Sequence, residues 1–317
     1  MYRQHKIALG IPAYNEEILI TDTLLSVPEF VDDIVVIDDA ASDSTSKKVI
    51  EFAKKDSRIR LLKHEQNVGV GGSIIAGYHS AFENGADISA VVGGDNQMLL
   101  SELSFFLDPI INNSADYTKG NRFLLPNKTL EIMPKLRLFG NALLSAITKL
   151  ASGYFKIYDV VDGYTAISKR AYLTINWTKA WTGYGYPMDF LVHLNIAGMR
   201  VLDVPRTAVY LEGQRQSQIK SIPYILKVSP LLLKGFFKRL SYKYLLRDFH
   251  PLVFFYISGL LSLLLGLVYG CYLIYEQFSG RGVSGPRSIL CALFILIGIQ
   301  SIFFAVTLEI LNENRGK

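Results

Sequence analysis

Two stretches near the C-terminal end of the sequence decide how the rest of it can fold. Residues 252–275 and 288–310 are almost wholly apolar, and only Glu276 and Glu309, at or just beyond their ends, bring charge near them. Each is long enough to cross a bilayer as a helix, the one single-segment conformation that satisfies its own backbone there. We read 251–317 as two transmembrane helices and a short tail, so the globular part must be built from the residues before them. Hydrophobic residues make up 50% of the chain, and that excess sits in these two runs. Cys271 and Cys291 both fall inside them, as apolar filler rather than a disulfide.

The net charge of +5 also has a location. Arg215, Lys220, Lys227, Lys234, Lys238, Arg239, Lys243 and Arg247 follow one another with no acidic residue between them. Apolar side chains are interleaved with them, among them Leu231, Leu232, Phe236, Phe237 and Leu240. Residues 216–250 therefore read as amphipathic helices lying on an anionic bilayer surface. Nucleic acid is the competing partner for such a run, but no nucleic-acid-binding motif accompanies it and the adjoining spans favour lipid. Arg315 and Lys317 follow the second span, against Arg281 and Arg287 in the short link. The positive-inside rule then puts both termini in the cytoplasm, with a hairpin between them. No secretory signal peptide is visible at the start.

Ahead of the spans, apolar strand-like runs alternate with helical patterns. Strands are expected at 6–11, 34–37, 59–62 and 88–92, with helices at 17–27, through Val49 and Phe52, and through Tyr78 and Phe82. This alternation implies an α/β fold with a mainly parallel sheet and right-handed crossovers. Further on come a strand near Tyr117, an amphipathic helix at 136–150 with Phe139, Leu143 and Ile147 on one face, and a helix through Leu191 and Leu194. Short strands are expected at 199–204 and 207–211.

The fourth strand ends in Gly93, Gly94, Asp95, Asn96 and Gln97. In open α/β sheets ligands bind outside the C-terminal strand ends. A carboxylate there, beside glycines that let a ligand approach the backbone, suits a divalent cation on nucleotide phosphates. An ordinary polar turn is the alternative. The glycine-rich loop Asn67, Val68, Gly69, Val70, Gly71, Gly72 is not a Walker motif, because Ser73 and Ile74 stand where Lys-Ser/Thr is needed. It reads as a turn near a ligand or a purely structural turn.

Taken in order, Pro12-Ala-Tyr-Asn-Glu16, Val36-Ile-Asp-Asp-Ala-Ala-Ser-Asp43, the glycine loop, Gly94-Asp-Asn-Gln97 and Gly120-Asn-Arg122 resemble family 2 glycosyltransferases of the polyprenyl-phosphate branch. That branch contains dolichyl-phosphate mannose synthases and bacterial undecaprenyl-phosphate glucosyltransferases. The resemblance covers roughly 6–220. It implies a Rossmann-like GT-A domain at 1–215, followed by the interfacial helices and the hairpin. Pro12, Tyr14, Asn15, Glu16, Asp38, Asp39, Gly69, Gly94 and Asp95 would line the nucleotide-sugar site. Asp95 and Gln97 would hold Mg²⁺ or Mn²⁺, with Asp95 at the second aspartate of the family's Asp-x-Asp. Arg122, Arg215 and Lys220 would meet the acceptor phosphate, and Asp159, Asp162 and Asp189 the sugar or acceptor side. For each of these three aspartates a cap or turn role is an equal alternative.

The implied activity is inverting transfer of a hexose, from a UDP- rather than a GDP-sugar, to a polyprenyl phosphate. It would take place at the cytoplasmic face of the cell (inner) membrane, for cell-surface glycan or glycoprotein assembly. One departure is clear: Gly93 replaces the first aspartate of Asp-x-Asp. The alternatives are a transferase acting on another lipid headgroup or a polymer, or an inactive nucleotide-sugar-binding scaffold. Against a processive synthase, Arg215 is followed by Gln216 where that signature has tryptophan. A homo-oligomer is left open.

Overall fold

The computed structural model describes residues 1–124, 135–209 and 221–315, which fall into two compact units, Met1–Phe236 and Phe237–Lys317. Among the described residues the first unit is built on seven strands: β1 (Ile7–Ala13), β2 (Asp33–Asp38), β3 (Ile59–Lys63), β4 (Ile88–Val91), β5 (Tyr117–Asn121), β6 (Thr165–Ser168) and β7 (Val201–Pro205). Their order across the sheet is β3-β2-β1-β4-β6-β5-β7. β1, β2 and β4 are buried on both faces, which is why they read as unbroken apolar runs. β6 breaks the parallel pattern, running antiparallel to both β4 and β5. Its first residue, Thr165, pairs with Val91 at the C-terminal end of β4. The chain thus re-enters the sheet from its ligand-binding edge and has to run back.

Alternate strand residues feed two cores. Ile7, Leu9 and Ile11 join one with α1 (Ile20–Leu25), α2 (Thr45–Ala53) and α4 (Leu103–Ile111). Ala8, Val91 and Tyr117 join the other, with α3 (Val70–Glu83), the long helix α5 (Lys135–Ser152), the short α6 (Lys169–Thr174), α7 (Tyr186–Ile196) and α8 (Ser221–Arg239). Residues 186–195 of α7 are all buried, so that helix lacks the one-sided periodicity of a surface helix. In α5, Leu144 and Thr148 are buried while Phe139, Leu143 and Leu150 are exposed. The buried face is therefore rotated from the expected one, and an apolar stripe is left on the outside.

Two further expectations change. α1 is shorter than 17–27, and ahead of it the amides of Glu16 and Glu17 donate to Thr45 Oγ1 (2.9 Å) and Asp43 Oδ2 (3.1 Å), tying this loop to the one after β2. Of the strand expected at 207–211, residues 210 and 211 lie outside the described residues, and none starts at Thr207, whose amide donates to the Glu102 carboxylate at 3.1 Å. Of the described residues after Arg206, only Ala208 pairs, in an isolated bridge to Met98.

The second unit holds a π-helical segment (Leu240–Arg247) and two helices, α9 (Leu252–Phe278) and α10 (Gly285–Arg315). Both are long and apolar enough to cross a membrane. They pack through glycine: a Cβ on Gly266 would lie 2.7 Å from Ile295, and one on Gly298 2.6 Å from the Leu263 backbone. The charges that bound the spans are paired. Glu309 accepts from Arg239, Tyr244 (3.1 Å) and Tyr256 (3.0 Å), and Glu276 accepts from Tyr272 and Arg287, each at 2.9 Å.

Candidate functional site

The loops after β1, β2 and β4 each turn on a left-handed residue that is not glycine: Asn15 (φ 57°), Ala40 (φ 61°) and Asn96 (φ 53°). An alanine held there is strained, and such strain concentrates at functional edges. The first two loops are tied together. Asn15 Oδ1 accepts from the Ser42 amide at 2.9 Å, and Ser44 N donates to Glu17 at 3.0 Å. Tyr14, the first residue past β1, is 49% exposed.

Asp38 and Asp39 are both buried but do different work. Asp38 caps its own loop through Ala41 N (2.7 Å) and the Ser46 hydroxyl. Asp39 accepts from Val68 N and Gly69 N, both at 2.9 Å, and contacts His64 Nδ1 at 3.0 Å. It therefore anchors the glycine-rich loop. The amides of Gly71 and Gly72 donate to Thr182 O at 2.7 and 3.3 Å. A Cβ on Gly69 would lie 2.6 Å from Thr182 O, and one on Gly71 2.7 Å from Trp181 O. These glycines let backbone pack on backbone. The amides of Val68, Gly69, Gly71 and Gly72 are thus all on protein oxygens, which makes the loop a tightly packed turn beside the site. Asp189, at the start of α7, belongs to the same tie: it accepts from Trp181 N at 2.7 Å and has His193 at 3.6 Å.

Asp95 stands apart. Among the described residues its one hydrogen-bond donor is Gln97 N, to Oδ1 at 3.2 Å. Burial pushes its carboxyl above its ordinary pKa, against the pull of the Gln97 amide and the Arg206 charge. The loop around it is fixed from outside, by Gly94 N to Pro12 O (3.3 Å) and Thr23 Oγ1 to Gly94 O (3.1 Å). A Cβ on Gly93 would sit 3.0 Å from Asp95 Oδ1, so the glycine makes room for that carboxylate. A half-desolvated carboxylate with one weak neutral partner fits a divalent cation, with the Gln97 amide oxygen a second candidate donor. Among the described residues no group of three His, Cys, Asp or Glu side chains could hold an ion unaided. Mg²⁺ commonly takes one or two carboxylates and completes its shell with substrate phosphate and water.

The third set lies where β5 ends. Arg122 grips Asp159 in bidentate fashion, Nε to Oδ2 at 2.7 Å and Nη2 to Oδ1 at 2.9 Å, and reaches Asp162 at 3.3 Å. Lys119, fully buried, donates to the Asp159 carbonyl. Burial opposes ionisation of Asp159, but the Arg122 fork overcomes it and holds its pKa below the ordinary value. Arg206 donates to Asp162 at 2.7 Å and to the Gln97 carbonyl at 3.2 Å. Sequence reasoning named Asp159, Asp162 and Arg122 separately; the structure brings them together, and adds Lys119 and Arg206. Beside Arg122 a cavity of about 460 Å³ opens between β5 and α5, lined by Phe123, Leu124, Leu138, Ala142, Lys149 and Tyr158 among others. Arg215 and Lys220 lie outside the described residues.

The model of "Glycosyl transferase family 2" matches residues 9–175. The chain is 32% identical over 219 residues to a UDP-N-acetylglucosamine–dolichyl-phosphate N-acetylglucosaminyltransferase of Methanococcus voltae, covering 65% of this chain and 86% of the relative. It is 28% identical to an undecaprenyl-phosphate mannosyltransferase of Micrococcus luteus, over 64% of this chain and 83% of that one. Glucosyl-3-phosphoglycerate synthase of Mycobacterium tuberculosis, solved with Mn²⁺, UDP and phosphoglyceric acid, shares the fold. Its TM-score is 0.52 at 16% identity, covering 74% of this chain and 78% of that one. The chain is a glycosyltransferase and belongs to family 2, on the branch of the polyprenyl-phosphate sugar transferases.

Proposed function

We propose that the protein transfers a hexose from a UDP-sugar to a polyprenyl phosphate at the cytoplasmic face of the membrane, with inversion at the anomeric carbon. The observation that carries this reading is Asp95, a half-desolvated carboxylate at the strand edge with no cationic hydrogen-bond partner among the described residues. Its neighbours on the edge suit a nucleotide: the open ring of Tyr14 for the base, and the tied loops of Asn15 and Asp38 for the ribose side. The relatives named above carry UDP-N-acetylglucosamine, dolichyl phosphate and undecaprenyl phosphate in their names, which supports both substrate classes. Mg²⁺ or Mn²⁺ held by Asp95 and Gln97 would supply Lewis-acid neutralisation of the diphosphate.

The acceptor oxygen is already anionic near neutral pH, so no residue has to remove a proton from it. That oxygen attacks the anomeric carbon from the face opposite the diphosphate. The C–O bond to the diphosphate breaks and the nucleotide leaves with the electron pair. The protein's part is orientation and charge. Arg122, braced by Asp159 and Asp162, gives a fixed cationic face on the acceptor side. Arg215 and Lys220 add cations next to the interfacial segment, whose exposed Leu226, Leu233 and Phe237 suit the lipid surface that carries the acceptor. Purified protein incubated with radiolabelled UDP-sugars, Mn²⁺ and polyprenyl phosphate should give a butanol-extractable labelled lipid. A labelled polymer, or label on a different lipid headgroup, would replace this acceptor with another.

A further inference from the structure

We propose that Arg206 is the positioning residue of the Asp95 loop, a guanidinium clamp that holds residues 94–98 in the geometry from which Asp95 serves the donor diphosphate. What the loop binds rests on the functional reading above; the clamp rests on its own contacts.

Among the described residues the Asp95 side chain has no hydrogen-bond partner outside its loop. Its one hydrogen bond comes from Gln97, two residues on, and the two preceding residues are glycines, the residue type with the most backbone freedom to lose. The start of the loop is held by Pro12 and Thr23, and its end by the Met98–Ala208 bridge. The stretch between is held at the Gln97 carbonyl, by Arg206 Nη1 at 3.2 Å.

Arg206 is itself buried and held on several sides. It is 5% exposed, its Nε is fixed on Asp162 at 2.7 Å, and Nη1 also reaches Thr207 O at 3.1 Å. The next residue is held in turn, its amide on Glu102. Asp162 leads on to Arg122 and Asp159, so one guanidinium joins the donor loop to the brace on the acceptor side. With Gly93 in place of a second carboxylate, ligand geometry depends on one carboxylate and the neighbouring Gln97 amide, both on this loop, and a misplacement of about 1 Å can cost roughly 10²-fold in rate.

The competing account makes Arg206 a counter-ion for buried Asp162 and nothing more. Two measurements on the full-length protein in detergent separate them. Amide hydrogen exchange is followed in metal-free wild type and Arg206→Met, and UDP affinity is measured in Mn²⁺ and in EDTA. We expect exchange at 94–98 to rise about tenfold or more. UDP affinity in Mn²⁺ should fall roughly tenfold to a hundredfold, while affinity in EDTA stays within about twofold. Unchanged exchange at 94–98 overturns the clamp, and so does an equal loss of UDP affinity with and without Mn²⁺. If Arg206→Met does not fold, Arg206→Lys, which keeps the charge but loses the fork, is read in the same two ways. Failure of the wild type to bind UDP in Mn²⁺ would overturn the functional reading, while the exchange result still decides the clamp.

Discussion

Arg122 is the residue whose structural role and proposed acceptor role separate most cleanly. Nε and Nη2 both lie on Asp159, whose carboxylate is 1% exposed against 14% for the arginine side chain. Arg122→Met keeps the stem and removes the charge, leaving Asp159 buried without its fork. Breaking a buried pair from one side costs roughly 3–5 kcal/mol. Lys119 stays on the Asp159 carbonyl, so the lower end, about 3 kcal/mol, is the expectation. For a unit of this size each kcal/mol moves the midpoint by roughly 2–4 °C, giving a drop of about 6–12 °C. Fluorescence of Trp177, buried in the core of this unit, follows the transition in detergent. The pH dependence has a definite sign. Asp159 is held below its ordinary pKa in the intact protein, so its contribution is present above the unfolded carboxylate value and is lost as pH falls through the folded one. In the variant, burial favours the protonated acid, so acidification should narrow the gap. Arg122→Met/Asp159→Leu should recover most of the loss at pH 7. A midpoint within 2 °C of wild type, with lipid-linked product abolished, would refute the brace and leave Arg122 purely an acceptor ligand.

Other outcomes follow from single contacts. Asp95→Asn should lose Mn²⁺-dependent turnover by about 10²-fold or more with an unchanged melting midpoint, since charge and not volume is removed; persistence of metal-dependent product would detach Asp95 from the cation. Gly71→Val should destabilise by roughly 1–3 kcal/mol, because a Cβ meets Trp181 O and Tyr186 Cβ at 2.7 Å each; chemical denaturation measures it, and a neutral result would mean that the 181–183 segment yields freely. Arg239→Met leaves Glu309 with two tyrosine hydroxyls and should cost roughly 3–5 kcal/mol, whereas Arg239→Met/Glu309→Leu should cost less; thermal stability in detergent compares them, and additive losses would argue against a shared pair.

What the sequence disclosed depended on how local its causes were. β1, β2 and β4 were legible because a strand buried on both faces is a continuous apolar run. β6 was not: Thr165, Ala166, Ile167 and Ser168 are few, and half of them are polar. Pairing with β4 and β5, not propensity, makes them a strand. The site divides in the same way. Asp95 declares itself by standing at the end of an apolar run. The glycine-rich loop looked ambiguous because its partner, Thr182, lies far along the chain and donates no sequence signal. Asp159 and Asp162 were visible as carboxylates, yet their charge is absorbed by Arg122 and Arg206 from other elements. Arg206 itself, just after Val204 and Pro205, looked like a residue between two strands.

Gly93 sets the last expectation. A site with two carboxylates can neutralise a divalent cation by itself, whereas here Asp95 supplies one negative charge and the Arg206 guanidinium bears on it with the opposite sign. The remaining negative charge and the remaining oxygens must then come largely from the donor diphosphate. Cation and nucleotide should therefore bind as a coupled pair, each raising the affinity of the other by the same factor. We expect Mn²⁺ alone to bind weakly and UDP to tighten it by about tenfold or more, roughly 1.4 kcal/mol of coupling. Free Mn²⁺ read by electron paramagnetic resonance, with and without UDP, gives the ratio directly. Gly93→Asp tests the cause. Its Cβ would come within 3.0 Å of Asp95 Oδ1, so Asp95 has to swing aside, but the added carboxylate supplies the charge that UDP otherwise brings. Mn²⁺ should then bind more tightly in the absence of UDP, and the UDP-dependent ratio should shrink. An Mn²⁺ affinity independent of UDP in wild type, or a ratio unmoved by Gly93→Asp, would show that the cation is not balanced by Asp95 and the diphosphate.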